Sequence, residues 1–329
     1  MDNSMHNYKV SILVPVYGVE KYIERCAVSL FEQTYENIEF IFVNDCTKDN
    51  SIEILKSVIF RYPNRKNSVQ IINHLQNKGL GGARNTAVAA AKGDFILHVD
   101  SDDYIENTCI EKCVCKQIET GADIISVESA DDYNRKITPH ALNDYSTKEE
   151  FLIALIKHYI RNNIWGRLIR RSLYIDNNIR VEQNVSMSED LQVIPRLVYF
   201  SNNIAFVHEP LYFYECSNIN SYTYSFSEKK GDQRLQTMAL LNSFFKERAP
   251  KYLDAIEFRL YQALYDLYIN SAKNKVHKDY NQKVKVMMKP YTKKYLRTIP
   301  IAKRIAWYLN NYFLLHLYLK CVLIIKRGK

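Results

Sequence analysis

Phe95-Ile-Leu-His-Val-Asp-Ser-Asp-Asp103 is the stretch on which the reading of this chain turns. Its first five residues form a strand-length run, mostly apolar, as expected of a strand buried on both faces. Asp100, Asp102 and Asp103 then crowd three carboxylates into four residues. Like charges so close repel, and a fold tolerates them best when a cation sits among them. Carboxylate oxygens suit a hard ion, Mg2+ or Mn2+, of the kind shared with substrate phosphates. A helix cap followed by solvated acids is the competing reading of these residues alone.

On both sides of this stretch, short apolar runs alternate with amphipathic ones. The periodicity predicts strands at Lys9–Val14, Ile38–Val43, Val69–Asn73, Asp94–Val99 and Ile124–Val127. Helices are predicted from about Glu20, over Ser51–Phe60, over Ala83–Lys92 and over Glu106–Glu119, the last ending at Gly121. Such alternation indicates β-α-β units and an α/β protein with a mostly parallel sheet flanked by helices. Beyond Ala130 the pattern loosens. Asp131–Ser146 reads as a polar connection, followed by a helix over about Thr147–Arg161. An acidic turn, Ser188-Glu-Asp190, opens a helix over Leu191–Tyr199, and Pro210–Tyr214 is an aromatic strand. From about Glu228 onward the chain reads as helical and basic.

In open α/β sheets ligands lie beyond the carboxyl ends of the strands. The first predicted strand is followed by Pro15-Val16-Tyr17, and the second by Asn44-Asp45-Cys46-Thr47-Lys48-Asp49. The third is followed by Asn77-Lys-Gly-Leu-Gly-Gly-Ala-Arg-Asn85, and the fourth by the aspartates. The chain has nine glycines, and Gly79, Gly81 and Gly82 share one four-residue stretch, a sign of positive φ or close approach. Arg84 stands where a dinucleotide fingerprint needs its third glycine, and the loop lacks the Gly-Lys-Ser/Thr ending of a P-loop. A nicotinamide-dependent oxidoreductase and a P-loop nucleotidase are both disfavoured.

Of 329 residues, 45 are Lys or Arg and 36 Asp or Glu, but the net +9 is unevenly spread. Lys251–Lys329 holds 17 basic and 4 acidic residues, leaving 28 and 32 for everything before it. An acidic body with a basic tail is a poor profile for nucleic-acid binding, where phosphate-holding and base-reading groups share a module. It suits a body doing chemistry and a tail facing an anionic surface. Seven cysteines, none in Cys-x-x-Cys form, suggest reduced packing residues and a cytoplasmic compartment. Met1–Lys9 lacks the apolar core expected of a secretory signal.

Taken together, these residues resemble glycosyltransferase family 2, with its GT-A nucleotide-sugar-binding fold. The likeness is carried by Val10–Tyr17, Glu20–Cys26, Gln33-Thr-Tyr35, Glu39–Asp49, the glycine loop through Asn85, and Asp100–Asp103. It implies a catalytic domain over residues 1–225, with a donor half at about 8–128 and an acceptor half at about 129–225. A helical basic region, 226–329, follows. By the resemblance Pro15 and Tyr17 lie beside the nucleobase, Tyr17 stacking on a uracil-like ring, and Asp45 hydrogen-bonds the base. Lys78, Gly79 and Arg84 belong near base and diphosphate. Asp100 and Ser101 belong to the donor site, Asp100 nearer the ribose, and Asp102 with Asp100 would hold Mn2+ or Mg2+. Asp103 matches a further family acid whose role the residues alone do not separate from that of Asp102.

Glu189 and Asp190, after the segment Trp165-Gly-Arg-Leu168, match the family's catalytic acid pair, Asp190 as general base. Cys46 departs from the family's glycine. The resemblance implies an inverting transfer from a nucleoside-diphosphate sugar, UDP by weight of family, to a glycan or polyprenyl-linked acceptor in cell-surface polysaccharide synthesis. A non-catalytic scaffold and a nucleotidyltransferase remain as alternatives, and nucleic acid is not an expected partner. The apolar stretch 305–325 is interrupted by Asn310, Asn311, His316 and Lys320. With the basic residues of 289–329 it fits attachment to an anionic membrane on the inner face of the plasma membrane, or else packing on the catalytic domain.

Overall fold

The computed structural model describes residues 8–183, 185, 187–218, 226–272 and 277–298. Its described strands are β1 (Val10–Val16), β2 (Ile38–Asn44), β3 (Val69–Asn73), β4 (Phe95–His98), β5 (Tyr104–Ile105), β6 (Ile124–Tyr133), β7 (Lys136–His140), β8 (Arg167–Arg170) and β9 (Ile204–Glu215). They form one sheet in the order β3-β2-β1-β4-β8-β6-β9-β5, with β7 paired to β6. Pairing is parallel across β3, β2, β1 and β4 and again between β6 and β9. β8 runs antiparallel between β4 and β6, so β6 points the same way as β4. Six strands therefore deliver their carboxyl ends to one edge.

β1 is buried along its whole length because both its edges are paired and both its faces are covered. The hydrophobic core joins it to Phe40, Phe42, Phe95 and Leu97 of the sheet and to Ile23, Cys26 and Leu30 of α1 (Ile23–Phe31). Leu55 and Val58 of α2 (Ser51–Arg61) and Ile110 and Cys113 of α4 (Cys109–Thr120) complete it. The cysteines of α4 are thus packing residues, Cys109 and Cys113 fully buried and reduced.

The stretch 131–146 contains more than a connection. β6 runs on to Tyr133 and turns back as β7, with Asn134 and Arg135 at φ of +51° and +69°. β9 starts at Ile204, and its pairing with β6 shifts register at Val127 and Glu128, where Pro210 lies opposite. Proline has no ladder proton to give, and a bulge accommodates it. α3 (Gly79–Ala90) starts at the glycine loop itself, ahead of Ala83. α5 (Lys148–Ile156) ends earlier than its sequence pattern suggests, and α6 (Arg171–Asp176) follows β8 directly.

The chain divides into two compact units, Met1–Leu155 with Tyr159–Ser221, and Ile156–His158 with Tyr222–Lys329. The second unit has α8 (Glu228–Arg248), α9 (Leu253–Ser271) and α10 (Lys278–Tyr295) around an aromatic core that includes Phe258, Tyr261, Tyr265, Tyr268 and Tyr280. Among the described residues no helix is long and apolar enough to cross a membrane. The stretch 305–325 lies outside the described residues, as does all of 299–329.

Candidate active site

The sheet edge collects charge around Arg84. This residue sits in the first turns of α3, which the glycines allow to pack closely. Gly79 has φ of +74°, and a Cβ on Gly81 would lie 2.5 Å from Val181 Cγ1. Asn85 fastens the same contact: its amide donates to Val181 O (2.8 Å) and its oxygen accepts from Val181 N (2.9 Å). With α3 held there, the Arg84 guanidinium is buried. Nη1 donates to Glu189 Oε1 (2.7 Å) and Asp190 Oδ1 (2.6 Å), and Nη2 to Asp100 Oδ1 (2.8 Å). Burial opposes the arginine's charge, but Asp100, Asp190 and Glu189 more than offset it and hold the guanidinium ionised.

Glu189 and Asp190 form the first turn of α7 (Glu189–Phe200), where the helix dipole favours negative charge. Burial pushes the Glu189 carboxyl up to about 8, with Asp190 adding to the rise and Arg84 opposing it. Asp190 is also raised by burial, while Arg84 and a hydrogen bond from the Ile164 amide work the other way. Ile164 precedes Trp165, so the tryptophan segment and the acid pair meet here. Trp165 stacks on Tyr212 (4.3 Å between centroids, 11°) and Tyr214 (5.6 Å, 13°) of β9, and Gly166 turns the chain at φ of +65°.

The three aspartates separate in role. Asp103 is fully buried, accepting from Tyr212 Oη (2.6 Å) and the Glu215 amide (2.8 Å); burial lifts its carboxyl well above the usual range. It anchors β9 beneath the site and is not open to a ligand. Asp100 and Asp102 are partly exposed, and Ser101 between them is buried. Asp102 Oδ2 accepts from Asn218 Nδ2 (2.8 Å), and burial with the neighbouring Asp100 charge lifts its carboxyl to about 6. Asp100 Oδ2 has no partner among the described residues, where no group of three His, Cys, Asp or Glu is assembled as a metal site. Two carboxylates still match what Mg2+ or Mn2+ needs when donor phosphates and water complete its shell. Asp100 and Asp102 therefore fit such an ion.

Around the corner, Pro15 is buried in β1 beside Val43, and Tyr17 beyond it is 54% exposed. Asp45 is buried at the end of β2. Its Oδ1 accepts from His74 Nδ1 (2.7 Å) and from the Lys78 amide (2.8 Å), so Lys78 reaches Asp45 through its backbone. Cys46 has φ of +61°, the left-handed region that glycine enters without a steric cost. The glycine position it occupies thus has a backbone reason.

A family model described as glycosyl transferase family 2 matches residues 11–189, more than half of the chain. The chain belongs to glycosyltransferase family 2. It is 33% identical over 237 residues to a glycosyltransferase of Bacillus subtilis (strain 168), EpsJ, covering 69% of this chain and 66% of that one. This chain spans less than two thirds of such curated relatives. The crystal structure of Staphylococcus aureus TarS 1–349 in complex with UDP-GlcNAc aligns with a TM-score of 0.57 at 18% identity, covering 87% of this chain and 92% of that one. A mannosyltransferase of Pyrobaculum calidifontis in complex with GDP-Man and Mn2+ aligns at 0.53 and 12%, covering 84% of each chain. These likenesses give the family 2 chain its GT-A fold.

Within that fold, the sheet edge brings Asp100, Glu189 and Asp190 together on one guanidinium, with Asp102 two residues further on. Tyr17, Asp45, Lys78 and Gly79 form a separate group along the β1–β3 ends. Arg84 faces the acids of both α7 and β4. Two family 2 site neighbours carried no role in the sequence reading. Arg25 of α1 donates to Asp102 O (3.1 Å), Asp132 Oδ2 (3.2 Å) and Glu215 Oε2 (2.7 Å), and covers the Tyr104 ring at 4.3 Å. Its place inside the Glu20–Cys26 motif was the available signal. His74 is the other, adjacent to the glycine loop but outside it.

Proposed function

We propose that this chain transfers a sugar from a UDP-sugar to a hydroxyl of a glycan or lipid-linked acceptor, with inversion. The observation that carries the reading is the Arg84 junction, which links Asp190 to Asp100 through one buried guanidinium. A base and a donor-site acid held in one rigid frame suit a single in-line displacement. Tyr17, exposed beside Asp45, offers a face for a nucleobase. Asp100 and Asp102 would hold Mn2+ or Mg2+, which would supply positive charge against the diphosphate.

In the reaction, Asp190 accepts the proton of the acceptor hydroxyl as its oxygen bonds to the anomeric carbon. The bond from that carbon to the diphosphate oxygen breaks, and its electron pair leaves with the nucleoside diphosphate. One displacement on the opposite face inverts the centre. A carboxylate pushed above its usual range is a stronger base near neutral pH. Arg84 keeps Asp190 oriented and favours its ionised form in a site where burial favours the proton.

The biological setting follows the relatives. EpsJ is described as a glycosyltransferase, and TarS as a poly(ribitol-phosphate) beta-N-acetylglucosaminyltransferase. We place this chain in cell-surface polysaccharide synthesis, in the cytoplasm, on the inner face of the plasma membrane through the basic residues of 289–329. Of this basic region α10 contributes Lys289 and Lys293, both exposed, while Lys294 is paired with Asp254 (2.7 Å) and Glu257 (3.0 Å).

The test is a nucleotide-release assay over a panel of nucleotide sugars and mixed acceptors, with and without Mn2+ or Mg2+. Release of UDP that requires an acceptor is expected. Asp190→Asn should abolish transfer and leave donor binding near normal. No release from any donor overturns the reading, as does full activity of Asp190→Asn.

A further inference from the structure

The mechanism leaves the buried imidazole of His74 unused. His74 follows β3, its backbone amide bonded to Asn44 O (2.9 Å), and its side chain lies between β2 and α3. Nδ1 meets Asp45 Oδ1 at 2.7 Å, and Nε2 meets Thr86 Oγ1 of α3 at 2.9 Å. Thr86 is itself tied to Gly82 O (3.1 Å) in the glycine loop. The Lys78 amide adds a second donor to Asp45 Oδ1 at 2.8 Å. Asp45 Oδ2 has no partner among the described residues. The carboxylate is thus fixed by one oxygen and presents the other.

We infer that His74 is a specificity-determining positioning residue, which holds Asp45 so that a single carboxylate oxygen faces the nucleobase. The inference rests on the donor reading proposed above. One free acceptor oxygen matches the single imide N–H of uracil. Guanine presents two adjacent donors, N1–H and the 2-amino group, which need both oxygens of a carboxylate. Cytosine presents an acceptor at N3, which a carboxylate repels, and its 4-amino donor is displaced from the place of uracil's imide N–H. A carboxylate with both oxygens free would turn to suit guanine; one tethered at Oδ1 by two donors does not. Selectivity then comes from an anchored acceptor and from the cost of leaving the wrong base's polar groups unpaired.

The experiment is titration calorimetry of the full chain with UDP, CDP and GDP, for the wild type, His74→Leu, His74→Asn and Thr86→Val. His74→Leu removes a charge-assisted hydrogen bond, so UDP affinity should fall by about tenfold. The UDP-over-GDP preference should fall with it. His74→Asn, whose amide can donate from near the Nδ1 position, should recover most of the preference. Thr86→Val should lower the preference by a smaller factor and keeps the test open if His74→Leu does not fold. Unchanged UDP-over-GDP preference in folded His74→Leu or Thr86→Val overturns the assignment. So does equal weakening of all three nucleotides, or an Asn variant as impaired as Leu. A wild type that binds none of the three overturns the donor reading itself, a result distinct from these.

Discussion

Arg84 Nη1 lies 2.6 Å from Asp190 Oδ1 across 106 residues of sequence, while its other terminal nitrogen reaches Asp100. The planar fork of the guanidinium serves acids on two elements at once. Arg84→Lys should therefore fail: one ammonium cannot span both. Donor KM and kcat measured together are expected to show kcat reduced at least about a hundredfold, the scale of a misplaced reacting group. A kcat within a few-fold of wild type would mean that the junction does not position the base.

The acid pair sets the pH dependence. Glu189 is lifted to about 8 and Asp190 is raised as well, both first by burial. The active form needs Asp190 ionised, so activity rises with pH, along a limb above the ordinary carboxylate range. Glu189 still holds its proton where Asp190 loses its own, so Glu189→Gln, which resembles that neutral carboxyl, should leave the limb in place. Profiles of kcat against pH for both proteins decide the matter; a limb displaced to lower pH in the variant would show that Glu189 is already ionised when Asp190 titrates.

Cys46 gives a backbone prediction. At φ of +61° a residue with a Cβ carries a steric cost that glycine lacks. Glycine also loses more chain entropy on folding, so the net gain from Cys46→Gly is modest, on the order of 0.5–1 kcal/mol. Cys46→Val puts a β-branched residue there and should destabilise. Thermal unfolding of the two variants should move in opposite directions, and a common direction contradicts the strain.

Tyr212 holds Asp103 from β9 (2.6 Å), and its hydroxyl oxygen accepts from the Asp100 amide (3.2 Å). Tyr212→Phe keeps the stack on Trp165 but leaves a buried carboxyl one donor short. The expected loss is about 1–3 kcal/mol in chemical denaturation, the usual penalty for an orphaned buried polar group. An unaltered midpoint would show that Asp103 finds another donor.

What the sequence reveals here is what is local. Asp100–Asp103, Pro15-Val-Tyr17 and Asp45 end strands whose apolar runs are themselves legible, and the α/β alternation follows from the same runs. The Arg84 junction is not local. Nothing in the spacing of Arg84 and Asp190 marks them as partners, because α7 arrives only after β6 and β8 have been added to the sheet. The hairpin in 131–146 stayed hidden for a different reason. Its turn puts Asn134 and Arg135 at positive φ, where the recognisable signal is glycine, and no glycine is present. The start of α3 is concealed by its glycines, poor helix formers by propensity, which packing against Val181 requires. Arg25 and His74 illustrate the same limit: each stands next to a readable motif, and only the fold shows what it holds.

The antiparallel insertion of β8 has a consequence during synthesis. Of the two partners of β4, β1 precedes it in the chain, whereas Arg167–Arg170 on the other side is made only after β6 and β7. Until then the strand carrying the aspartates is an open template for a neighbouring nascent chain. A fragment ending near residue 128 lacks β8 and should aggregate when expressed alone. The reactive edge is therefore assembled late, when the segment bearing Trp165 and β8 closes the gap.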